Sequence, residues 1–152
     1  MTTINWGRLI IGGLIATVIL FLTDGVLHEH VFHTYWEYVY EGLGAHESQM
    51  GHGIAILYFL VFEVGRGFLA ILIYALMRPF HGAGPKTAVF AAIIAWLAFS
   101  VAGPAQFIPL GFYSRRLWVL VAGAQLVTSI AANLAAAWVY KDPVMPGTPA
   151  SE

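Results

Sequence analysis

The chain has 152 residues, of which 59% are hydrophobic and 10% charged, with a mean hydropathy of +0.76 and a formal net charge of −1. That composition excludes an ordinary soluble domain and a nucleic-acid binder, which needs a basic face. With no cysteine, disulfides, thiolate metal sites and thiol nucleophiles are excluded as well. What remains is a single integral membrane domain over residues 1–152.

The first apolar stretch is interrupted by Asp24. Its uninterrupted core falls short of the roughly 20 apolar residues a crossing needs. Span one is therefore expected over residues 4–28, with Arg8 snorkelling to the interface. No small-residue cleavage site followed by a soluble domain appears, so this is read as a retained span rather than a signal peptide.

An aromatic segment follows, expected as a helix over residues 31–43. Phe32, Tyr35, Trp36, Val39, Tyr40 and Leu43 recur at helical spacing, and His30, His33, Glu37 and Glu41 form the opposite stripe. Four large aromatics opposite ionisable groups fit a helix lying in the plane of the membrane surface. A glycine-containing polar link, GAHESQMGHG, leads to span two over residues 53–77, which carries Glu63 and Arg66 near its middle.

The turn RPFHGAGPK should stop span two at Pro79 and start span three at Pro85. Span three, residues 87–107, pairs Ala88 with Ala92, Ala91 with Ala95 and Ala98 with Ala102 at small-xxx-small spacing, which predicts close helix contact; Gly103 and Pro104 kink or end it. Span four covers residues 117–140, and its Gln125, Ser129, Ala132 and Ala136 read as interhelical glue. Residues 141–152 form a polar, proline-containing tail. The fold class is all-α: a four-helix transmembrane bundle with an external amphipathic helix between spans one and two.

Orientation follows from the loop cations. Arg8, Arg78, Lys86 and Lys141 flank one side and Arg115 and Arg116 the other, which places both termini in the cytoplasm and the aromatic segment outside. From there Arg115 and Arg116 could pair with Glu37, Glu41 or Glu47.

Two constellations carry potential chemistry. His30, His33 and Glu37, spaced i, i+3 and i+7, offer two imidazoles and a carboxylate for a transition-metal ion, with His46 or His28 completing the shell. The plainer reading of the same groups, and the one favoured, is the solvated face of an interfacial helix. His28 and His52, at the ends of two spans, are a less favoured axial pair for haem or chlorophyll. Glu63 and Arg66 share a helix face inside the bilayer, where either charge alone is costly. Together they form an intramembrane ion pair, read either as a proton or substrate site in the bundle centre or as an internal pair that fixes helix register or recruits a partner subunit.

The opening N-W-x-R-x-I-x-G-G-L (Asn5 to Leu14), the aromatic re-entry after span one and the turn G-P-K-T-A (Gly84 to Ala88) resemble small uncharacterised four-helix bacterial membrane proteins of the domain-of-unknown-function kind. The resemblance implies the fold and a bacterial inner membrane, and assigns no activity, cofactor or site residue. No catalytic residue stands out. The first expectation is an accessory or structural subunit that packs on other membrane helices or on copies of itself in the lipid bilayer, using its alanine faces and aromatic helix. A metal-binding membrane protein with an external His/Glu site and a small oligomeric transporter using Glu63 and Arg66 are the alternatives.

Overall fold

A computed structural model describes residues 4–42, 52–112 and 114–141. Within them the helices are α1 (Trp6–Val26), α2 (His33–Gly42), α3 (His52–His81), α4 (Pro85–Trp96), the single turn α5 (Gly103–Ala105) and α6 (Arg115–Val139). Two π-helical stretches, Leu27–Val31 and Leu97–Ala102, extend α1 and α4. Four helical stretches of 21 to 26 residues are long and apolar enough to cross a membrane. The link at residues 43–51, with His46 and Glu47, and the tail from residue 142 lie outside the described residues.

The long helices form a closed ring in which α1 packs on α3, α3 on α4, α4 on α6 and α6 back on α1. Small residues make this possible. A Cβ on Gly67 would stand 2.8 Å from Thr17 Oγ1 and 2.9 Å from the Thr17 backbone nitrogen, and one on Gly13 would stand 2.8 Å from the Phe68 ring. The α1 and α3 backbones thus approach as closely as glycine allows. Between α4 and α6, Ala88, Ala91, Ala92 and Ala95 are buried against a face that includes Ala132 and Ala136. Two side-chain donors reach across it: Asn133 Nδ2 to Ala88 O at 2.7 Å and Trp96 Nε1 to Ala122 O at 2.7 Å.

The first and last described residues come together at one end of the ring. Asn5 donates through its backbone N–H to the Tyr140 hydroxyl (3.2 Å) and through Nδ2 to Lys141 O (3.1 Å). The Arg78 guanidinium lies over the Tyr74 and Tyr140 rings, 5.6 and 5.2 Å from their centroids.

Three details differ from expectation. Pro79 does not stop α3, which runs on to His81 and ends at Gly82. A proline so near the helix end disturbs little: Gly82 N–H still reaches Arg78 O at 2.9 Å, and its φ of 78° is a left-handed helix end that costs glycine no Cβ clash. Ala98 and Ala102 are exposed instead of packed. The π-helical stretch changes the helical phase by inserting extra residues per turn, so Ser100 is buried in their place. Finally, α2 starts at His33 because the π-turn and Phe32 (φ −106°, ψ 4°) intervene. Its apolar stripe turns toward the protein: Phe32 is buried, Trp36 stacks on His28, and the Arg116 guanidinium lies 5.8 Å above the Tyr35 ring.

Candidate functional site

Three ionisable side chains converge inside the ring. Glu63 and Arg66, one turn apart at the middle of α3, face α1 and α6, where Asp24 and the adjacent pair Thr128 and Ser129 stand. Asp24 and Glu63 are fully buried and Arg66 is 2% exposed. Because Gly67 lets α1 come close, the Arg66 side chain spans the gap to Asp24 directly.

Arg66 Nη1 donates to Asp24 Oδ2 at 2.5 Å and to both Glu63 carboxylate oxygens at 3.0 Å. One nitrogen with two hydrogens thereby serves three acceptor atoms, so the Glu63 oxygens share a hydrogen. Nη2 donates to Ser129 Oγ at 2.9 Å, and the Phe62 ring lies 5.5 Å from the guanidinium carbon. Asp24 is the better satisfied acid: its second oxygen accepts from Thr128 Oγ1 at 2.8 Å. Two carboxylates and one guanidinium leave the group one positive charge short of neutrality.

Asp24 is the member that spacing along one helix cannot reveal, since it lies 42 residues from Arg66. A signal for it exists nonetheless. Carrying span one on to residue 28 puts Asp24 inside the membrane, and an acid there needs a partner. Ser129, expected from sequence as interhelical glue, accepts from Arg66 on α3, and the neighbouring Thr128 donates to Asp24 on α1.

The histidine segment is arranged differently. His33 Nε2 and Glu37 Oε1 are 3.2 Å apart on the exposed side of α2, whereas His30 is exposed on the π-turn. The break at Phe32 removes the single helix face that would align His30 with His33 and Glu37. His28 points elsewhere: its Nδ1 lies 2.7 Å from Asp24 O, and its ring stacks on Trp36 at 5.5 Å. A carbonyl only accepts, so Nδ1 carries the hydrogen and Nε2 is the acceptor of the neutral ring. Among the described residues no group of three His, Asp or Glu side chains is placed to hold a metal ion. His46 is outside those residues, as is the His52 side chain. Compared with family models, curated proteins and solved structures, the chain matches none. The four apolar helices make the chain a multi-pass membrane protein.

Proposed function

We propose that this chain is a small proton-exchanging carrier of a bacterial inner membrane, with both termini cytoplasmic, α2 at the outer interface and Asp24, Glu63 and Arg66 as the proton site. The observation that carries this reading is the surplus carboxylate. A tie between helices needs one acid for one base. A second buried acid adds a charge whose desolvation costs several kcal/mol unless it is compensated. A proton is the smallest positive charge that restores balance. Glu63 is the acid we assign to exchange it, because its two oxygens share one donor nitrogen while Asp24 has separate donors on each oxygen.

The loop cations support the orientation, since Arg8, Arg78, Lys86 and Lys141 all lie at the end of the ring where Asn5 meets Lys141. A role as an accessory subunit would call on the alanine faces for contact with other proteins, and most of those alanines are already buried between α4 and α6. Four helices enclose little volume, which favours a carrier built from several copies.

Infrared difference spectroscopy on protein in lipid tests the assignment. The parent should show the carbonyl stretch of a protonated, slowly deuterating carboxyl group that titrates with pH and vanishes in Glu63→Gln. Proteoliposomes with an internal pH dye should show proton uptake that the same variant abolishes. A parent without that band at any pH it tolerates would mean that the three charges are a fixed tie.

A further inference from the structure

Beside the charged group, toward α2, lies a cavity of about 180 Å³. Its walls are largely aromatic, with Trp36, Phe59, Phe62 and the imidazole of His28. Two buried donors line it without a hydrogen-bond partner among the described residues: Ser100 Oγ, on a residue 2% exposed, and Trp118 Nε1. Ser100 is there because the π-helical stretch Leu97–Ala102 turns it inward, and such stretches recur at functional sites. Leaving either donor unpaired is costly, and in a membrane no solvent relieves the cost.

We infer that this cavity binds the ring of a membrane-soluble aromatic or quinonoid carbonyl compound, whose oxygen accepts from Ser100 and Trp118. The size fits, since a dry cavity of about 150 Å³ accommodates benzene. Water alone fits poorly. Filling this volume takes about six waters, each wanting roughly three hydrogen bonds, more than the few polar groups of the wall supply. An indole N–H only donates, so the occupant must present an acceptor. Flat aromatic walls favour a planar body for the remainder.

The membrane is the assigned source. An open apolar groove lined by Ala98, Phe99 and Phe107 shares Phe62 and Pro104 with the cavity, and offers an apolar tail a place to lie. The cavity is lined by none of Asp24, Glu63 and Arg66.

The test uses full-length protein in mild detergent and fluorine NMR with 4-fluoroacetophenone, against 4-fluoroethylbenzene, which lacks the acceptor. The ketone should bind saturably and the hydrocarbon about fivefold more weakly. Ser100→Ala should weaken the ketone roughly three- to tenfold and leave the hydrocarbon unchanged. Val121→Phe, which fills the cavity from α6, should abolish saturable binding of both while the melting temperature holds or rises. A decyl-tailed benzoquinone should displace the ketone more strongly than duroquinone, and equal displacement would overturn the membrane source. No saturable binding to the parent, or equal binding of ketone and hydrocarbon in parent and Ser100→Ala alike, would overturn the site.

Discussion

The charged group in the bundle and the histidine-bearing segment around α2 contain similar chemistry, carboxylates opposite nitrogen bases, in opposite surroundings. Arg66 meets Asp24 and Glu63 where none of the three is more than 2% exposed, and hydroxyls from α6 complete the set. His33 and Glu37 meet at 3.2 Å with 45% and 54% of their side-chain surface open. The dielectric around a pair decides how much its partners matter to each other. The buried Asp24, Glu63 and Arg66 are therefore coupled more strongly than the exposed His33 and Glu37. The lesson is that density of chemistry in a stretch of chain is a poor guide to strength of coupling in the fold.

The largest expected effect comes from removing the base. Arg66→Met leaves two buried carboxylates facing each other, and loss of one partner from such a group costs about 3 to 5 kcal/mol. The melting temperature in detergent should fall steeply. The double variant Glu63→Gln, Arg66→Met should recover little, because Asp24 stays buried with only Thr128 to serve it. Adding Asp24→Asn to that double variant should restore most of the loss. Recovery by the double variant alone would separate Asp24 from the group.

Next in size is the helix seam that brings Asp24 within reach. Gly67→Ala places a Cβ 2.8 Å from Thr17 Oγ1 and 2.9 Å from backbone nitrogen, and overpacking of that kind costs about 1 to 3 kcal/mol. Gly123→Ala in α6, where a Cβ meets nothing within 4 Å, is the control, and should be neutral or stabilising by about 0.5 kcal/mol. Thermal unfolding of the two variants side by side checks the contrast.

Glu63→Gln should separate stability from function. It leaves Asp24 and Arg66 as a neutral pair, so the melting temperature should stay near the parent's or rise while proton uptake is lost. A steep loss of stability would make Glu63, and not Asp24, the partner Arg66 requires.

Much of this fold is legible in the sequence because lipid imposes it: four long apolar runs, and a break between the second and third within the turn that carries Pro79 and Pro85, although the stop falls at Gly82 and not at Pro79. Helical spacing also puts Glu63 and Arg66 on one face. What periodicity does not carry is phase across an irregular turn. The π-helical stretches at Leu27–Val31 and Leu97–Ala102 move His28 toward Trp36 and exchange Ala98 and Ala102 for Ser100 at the buried face. Nor does spacing carry contacts between helices. That Asp24 meets Arg66 depends on how closely α1 and α3 approach, which is set by Gly13 and Gly67.

The smallest effect belongs to the exposed pair, and it sharpens the comparison most. Exposed ion pairs contribute about 0 to 1 kcal/mol, and salt screens them further. His33→Ala and Glu37→Ala should each shift stability by less than about 0.5 kcal/mol, the usual range for surface substitutions away from buried features. The double variant should show a coupling that disappears at high salt. Proton uptake should be unchanged in all three, since neither residue touches Asp24, Glu63 or Arg66. The sharp version of the test adds zinc. If His33 and Glu37 belong to a metal site completed by residues 43–51, zinc should raise the parent's melting temperature with the logarithm of its concentration above Kd and leave His33→Ala unmoved. An equal response of parent and variant assigns the histidines of α2 to the solvated face of the helix.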